Sequence, residues 1–377
     1  MVKDKQFKIE EENIKENGFS IINFLLIVIV IIASYFAYDM LSKNVDTKIS
    51  TANAIVFSNE TNIKANTAKK DKKNISTSSN EKLFENVIDN TNTINNVNYK
   101  RYFYNQINDN AKIMYDGICK NIEILQNGAG TIEFDINKTG IEDDFQTAWD
   151  AINLDNPGIF YIDTKKLSLK TQTITTFFGA KTTYQYILEP AEGNTNYLAK
   201  SFNSKEDVAN AISKTESIAN SIIKNARGTT YDKVKYVHDY IINTTSYDED
   251  STLNNGNIYG TLVNHKAVCE GYAETVKYLL DKLDIPCVIV YGDGLKEDGS
   301  KEYHSWNYVK MDDGNWYAID ATWDDPIIIG NGILPESEKY IYFLKGSNSF
   351  SSSHIEEKDV SGTGQSFKYP KISANDF

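Results

Sequence analysis

Gly260-Thr-Leu-Val-Asn-His-Lys-Ala-Val-Cys269-Glu-Gly-Tyr-Ala-Glu274 sets a cysteine between a polar loop and a periodic apolar run. Tyr272, Val276, Leu279, Leu280 and Leu283 recur at three- and four-residue steps, with Glu274, Lys277, Asp281 and Lys282 between them. That spacing predicts an amphipathic helix. Gly260 and Asn264-His265-Lys266 precede it as a loop, so Cys269 falls at the helix start. Asp284-Ile285-Pro286 stops the helix, and Cys287 to Tyr291 is a short apolar run suited to a buried strand. Gly292-Asp-Gly294 and Glu297-Asp-Gly299 offer turn chemistry. Tyr303-His304-Ser305-Trp306-Asn307-Tyr308-Val309 reads as a second strand with His304, Trp306 and Tyr308 on one face. Asp312-Asp313-Gly314 is a hairpin signal, and Trp316-Tyr317-Ala318-Ile319-Asp320 is the returning strand. One helix packed on antiparallel strands, an α+β arrangement, brings Cys269, His304 and Asp320 together.

The three side chains suit nucleophilic catalysis. A thiol attacks as thiolate, and the free N–H groups and dipole of a helix start stabilise a negative sulfur. His304 takes the thiol proton and returns it to a leaving amine. Asp320 fixes the imidazole tautomer and stabilises its charged form. The backbone N–H of Cys269 is a candidate oxyanion donor. A lone cysteine or histidine is most often a packing residue. Cys119, Cys287, His238, His265 and His354 are read that way, because none shares the setting of the three.

These motifs resemble the Cys-His-Asp core of the transglutaminase-like superfamily, over about residues 228–330. The order Cys, His, Asp, spaced by 35 and then 16 positions, fits that family. So do His304-Ser-Trp306-Asn307, Asp320-Ala-Thr-Trp323-Asp324-Asp325-Pro326, and the upstream Val237-His238-Asp239-Tyr240 and Tyr247-Asp248. The resemblance implies a papain-like core that forms a thioester with a protein or peptide amide. The acyl group then passes to an amine or to water. Trp306 and Trp323 match aromatic positions near the family's site, as substrate-binding residues or as core aromatics. No cofactor and no metal are implied: the acidic groups Asp248-Glu249-Asp250 and Asp324-Asp325 lack EF-hand spacing and read as solvated loops.

Phe19 to Tyr38 is a nearly unbroken apolar run, long enough to span a bilayer as a helix. Lys3, Lys5, Lys8 and Lys15 precede it, which places the N-terminus inside and the large domain outside, as a single-pass membrane protein. Gly18-Phe19-Ser20-Ile21-Ile22-Asn23 is also similar to type IV pilin N-termini, where cleavage follows the glycine and the helix joins a filament. Asn23 departs from the glutamate usual there. The reading is thus a leader or cytoplasmic segment (1–18), a span (19–38), a polar stalk (39–80), an α+β region (81–227), the core (228–345) and a loop-like tail (346–377). In the α+β region the pattern predicts helices over 102–125, 146–152 and 208–224, and strands over 158–163, 173–177 and 183–188.

A formal charge of −13 with no basic stripe argues against nucleic-acid binding. Three cysteines are too few for a disulfide framework. The expected partners are a protein or peptide substrate at the cell surface, the membrane, and filament neighbours if the N-terminus is pilin-like. The alternative to an enzyme is a non-catalytic surface or filament subunit that keeps the fold as an interaction module.

Overall fold

The order of elements around Cys269 follows from what its helix buries. The structure is a computed structural model that describes residues 99–377, apart from 130, 137, 139, 176–181, 297, 326–334 and 358–366. The leader, span, stalk and pilin-like segment lie outside the described residues. All described residues belong to the unit Thr77–Phe377. Among them no helix is long and apolar enough to cross a membrane.

The described elements are mixed helix and sheet. The first half holds helices α1 (Asp109–Lys120), α2 (Ile122–Leu125) and α3 (Phe145–Asp155), with strands β1 (Ile132–Ile136), β2 (Leu167–Thr175) and β3 (Thr182–Pro190). Their antiparallel sheet runs β1-β3-β2. Helices α4 (Lys205–Asn225) and α5 (Thr230–Thr244) follow, then the parallel pair β4 (Ser246–Tyr247) and β5 (Lys266–Ala267), and then α6 (Cys269–Lys282). Strands β6 (Cys287–Leu295), β7 (Lys301–Lys310) and β8 (Trp316–Ile319), the short helix α7 (Ser347–Phe350) and β9 (His354–Glu356) complete the chain. The second sheet has the order β8-β7-β6-β9, antiparallel throughout.

That second sheet is buried on both faces, and strand alternation divides the cores. Val288, Val290, Trp306, Tyr308 and Ala318 pack with α1, α3 and Phe350. Cys287, Val309, Tyr317 and Ile319 pack with α4, α5 and α6. A large apolar side chain buried this way contributes about 1.5–3 kcal/mol. Helix α6 is enclosed almost all round. Lys277, expected on its polar face, is 0% exposed and bonds Asp281 at 2.8 Å and the Cys287 carbonyl at 3.2 Å. An amphipathic pattern therefore understated how central this helix is.

The loop before α6 is fixed by a buried acid. Asp248 accepts bonds from the Thr252 N–H (2.6 Å), the Thr252 hydroxyl (2.8 Å) and the Asn255 amide (2.8 Å). The Asn255 carbonyl in turn accepts from the Val268 N–H, one residue before the helix. Gly260 sits in the π-helical turn Gly260–Asn264, where a Cβ would meet the Asn254 carbonyl oxygen at 2.1 Å. Asp324 is likewise buried, accepting from the Tyr342 N–H at 2.8 Å, and the Tyr272 hydroxyl donates to Asp325 at 2.5 Å. Asp248, Asp324 and Asp325 are thus internal anchors and not solvated loop residues.

Other expectations change too. The helix predicted over 102–125 starts at Asp109, because the Asn108 side chain accepts from the Ala111 N–H and caps it there. Residues 158–163 form no strand; only Ile162 bridges, to Leu198. Gly292 to Gly294 run inside β6 and pair with both β7 and β9, so the turn falls at 296–300. The tail is not all loop, since β9 edges the core sheet and Ile372 bridges Trp316.

Gly292 is where β9 approaches most closely: a Cβ there would lie 2.0 Å from the Ile355 carbonyl oxygen. Gly292→Ala is expected to destabilise the fold by about 1–3 kcal/mol in urea unfolding. Amide exchange should quicken at residues 353–357. Unchanged exchange there would show that this contact does not hold the tail strand.

Candidate active site

The helix start, two strands and the tail strand converge on one carboxylate. Cys269 is the first residue of α6, after an extended Val268. The first bond inside the helix runs from the Tyr272 N–H to the Val268 carbonyl, so the N–H groups of Cys269 to Gly271 have no helical acceptor. The thiol is partly exposed and lies close enough to His304 to favour the charged form of its imidazole. His304 lies in β7 and Asp320 just past the end of β8. The pairing of Asn307 with Ile319 sets Asp320 opposite Trp306, on the face that Trp306 shares with His304.

Asp320 is 0% exposed, and both of its oxygens are filled. Oδ2 lies 2.7 Å from His304 Nε2 and 2.9 Å from His354 Nε2. Oδ1 accepts from the N–H groups of Thr322 (2.9 Å) and Trp323 (3.1 Å). With Nε2 of His304 taken by the acid, Nδ1 is the nitrogen left for the thiol. Burial pulls the His304 imidazole down, but the charge and hydrogen bond of Asp320, and then Cys269, outweigh it and raise it to about 10. Burial pushes the Asp320 carboxyl up, yet His304 and His354 hold it well below the usual carboxylate range. His354 goes the other way: burial lowers it, and the nearby charge of His304 adds to that against the pull of Asp320.

His354 was read from the sequence as a packing residue, and the structure places it on Asp320 instead. A three-residue strand behind a serine run gives no periodic signal, so nothing local marks it. Phe350 stacks on its ring at 3.8 Å between centroids. The other two isolated histidines have other settings. His238 bonds Asp324 at 3.0 Å, and His265 occupies a left-handed backbone position (φ 57°) before β5. Cys119 and Cys287 are buried, as expected.

Trp323 stacks on His304 (centroids 5.0 Å, 26° between planes) and lines a cavity of about 470 Å³ with His304 and Tyr247. Trp306 is 1% exposed and packs edge-on against His354, within the core and on neither cleft wall. Cys269 opens onto a second cavity of about 690 Å³, walled by Tyr291, Tyr303 and the 150–164 segment. His304, Asp320 and His354 have ligand atoms within 4.8 Å of one another. The 2.7 and 2.9 Å contacts are hydrogen-bond lengths, shorter than the roughly 3.3 Å between two ligands of a tetrahedral zinc.

The raised His304 pKa carries a pH signature. Its ordinary value is 6.5 and its folded value about 10. Its contribution to stability is therefore full below about 6.5 and is lost as pH rises through about 10. The unfolding free-energy gap between the protein and His304→Gln should shrink over that window. A gap constant from pH 6 to 11 would mean that no imidazolium is held on Asp320.

Residues 216–321 match the family model described as the transglutaminase-like superfamily. The matched stretch contains Cys269, His304 and Asp320 but stops short of His354. The chain is similar to the crystal structure of a TGase at 17% identity and a TM-score of 0.28, over 64% of this chain and 61% of that one. It is similar to the periplasmic domain of TgpA from Pseudomonas aeruginosa at 15% identity and a TM-score of 0.25, over 41% of this chain and 62% of that one. The chain thus spans less than two thirds of either neighbour. No curated protein matches the sequence. By the family match, this chain carries a transglutaminase-like domain over residues 216–321.

Proposed function

We propose that this protein is a membrane-anchored, outward-facing cysteine enzyme that cleaves or transfers the acyl groups of protein or peptide amides. The observation that carries the reading is the His304 ring, held by Asp320 through Nε2 at 2.7 Å, with the Cys269 side chain near enough to help raise its pKa. Cys269 Sγ attacks the amide carbonyl carbon as the thiolate, its proton held on His304. The carbonyl oxygen becomes an oxyanion facing the N–H of Cys269 at the helix start. Collapse breaks the C–N bond, and His304 gives its proton to the departing amine. The thioester left on Cys269 is then attacked by water or by an amine, whose proton His304 receives as the C–S bond breaks and the thiolate leaves. Asp320 stays ionised throughout and stabilises the imidazolium. Trp323 shields one face of the imidazole.

Anchoring rests on the apolar run of residues 19–38 and on the lysines before it.

Cys269→Ala is expected to abolish acyl-enzyme formation and turnover of amide probes while the circular dichroism spectrum stays unchanged. His304→Ala should lose about 10²–10⁴-fold in rate. Turnover that survives in Cys269→Ala would falsify the reading. For the anchor, the full-length protein should stay in the membrane pellet after alkaline carbonate washing, and a deletion of residues 19–38 should release it. Release of the intact protein would remove the anchor.

A further inference from the structure

The cavity that Cys269 opens onto is unusually acidic. Asp150 comes from α3, while Glu270 and Glu274 lie one and five residues after the cysteine on α6; all three line it. Asp163 and Lys200 also line it, and among the described residues Lys200 is the one basic side chain there. Two of the carboxylates have an oxygen that is out of solvent and accepts nothing: Asp150 Oδ2 and Glu274 Oε2. Their other partners are few. Gln146 donates to Asp150 Oδ1 at 2.7 Å, and the Ile258 N–H supports Glu274.

An independent observation points to a ligand. Ser305 lines the same cavity, is 1% exposed, and its Oγ has no hydrogen-bond partner. A buried hydroxyl left unpaired costs about 1–3 kcal/mol, so an orphan on a cleft wall marks a place where something else supplies the bond. Tyr291 and Tyr303 stack on each other at the mouth (centroids 6.1 Å, 19°) and present ring surface to the same space. Aromatic faces and unpaired acceptors together suit a cation that carries N–H donors.

We propose that this cleft is a subsite for a primary ammonium group on the peptide substrate, bound by Glu274, Ser305 and Asp150 beside the Cys269 thiol. Each of the three offers an oxygen that the protein leaves unfilled, and an ammonium is a donor of N–H bonds only. A divalent metal fits less well. Among the described residues the one trio of His, Cys, Asp or Glu ligand atoms within 4.8 Å of one another is His304, Asp320 and His354, and the cleft offers no such trio. Burial, and then the charge of Glu270, push the Glu274 carboxyl well above its ordinary range, and burial raises Asp150 to about 6. A bound ammonium relieves that strain. The wall is shared between α6 and the segment ahead of the matched domain, which gives the first half of the unit a part in choosing substrate.

The inference rests on Cys269 being the reacting centre, yet it can be tested without turnover. Methanethiosulfonate reagents bearing aminoethyl, trimethylammonium-ethyl or sulfonatoethyl groups are applied to the full-length protein. Modification of Cys269 is followed by peptide mass analysis, so the buried Cys119 and Cys287 do not interfere. The aminoethyl reagent should react about ten-fold faster than either of the others, the scale of one charge-assisted hydrogen bond. Glu274→Gln, Ser305→Ala and Asp150→Asn should each bring it close to the trimethylammonium rate. Asp150→Asn, on a separate helix, keeps the test open if a variant near the thiol misfolds. Equal rates for the two cations would reduce the cleft to a diffuse negative field and overturn the subsite, as would strong protection by millimolar calcium. A retained ammonium preference without any acyl-enzyme would leave the subsite standing and sink only the catalytic reading.

Discussion

A fully buried carboxylate with four hydrogen-bond donors is the constraint on which the rest depends. Removing an ionised group from water costs several kcal/mol unless its charge is matched and its lone pairs are filled. Asp320 meets that condition only if four separate pieces of chain arrive together: β7 with His304, the turn with Thr322 and Trp323, β9 with His354, and β8 beneath. Each donor is useless to the acid unless its own segment is in register. The site is therefore also a lock on the sheet. The same bond that orients an imidazole ties the C-terminal strand to the domain.

Other buried acids do comparable work further out. Asp248 gathers the loop that delivers Val268 to the helix start. Asp324 joins α5, through His238, to the backbone at Tyr342. Asp325 takes the hydroxyl of Tyr272, on the first turn of α6. The start of α6 is thus held from several sides by charge-assisted bonds, which are short and directional. Apolar packing fixes the layers, but it is non-directional. Placing a thiol against one ring nitrogen needs the directional kind.

This division explains what could be read from the sequence. The α6 stripe, the β7 and β8 pattern and the meeting of Cys269, His304 and Asp320 all follow from local periodicity and short hairpins, and these were legible. What failed were features decided by distant chain. Asp248, Asp324 and Asp325 look like solvated acids because their donors are backbone amides and aromatic hydroxyls whose placement only the fold provides. Lys277 looks like a polar-face residue because a pattern cannot show that the opposite side is also covered. Gly292 and Gly294 look like a turn, although in β6 their missing side chains make room for Ile355 of β9 and for Trp323. His354 is the clearest case: its strand is too short for a period, and its partner lies 34 residues earlier.

Two histidines on one carboxylate oxygen invite the question of which holds the charge. His354 Nε2 lies 2.9 Å from Asp320 and Nδ1 2.9 Å from the Ser353 hydroxyl, and burial favours its neutral ring. Its pKa is lowered while that of His304 is raised, so the environment pushes the pair apart and one proton resides on His304. A second cation beside Asp320 would compete with the imidazolium and weaken it. A neutral donor instead holds the carboxylate in plane without adding charge. The Phe350 stack and the burial of the ring favour a neutral His354. The aromatic packing of the tail and the ionisation of His304 are thus one arrangement: loosening the first would let His354 take a proton, and His304 would then face Cys269 with a weaker hold on its own.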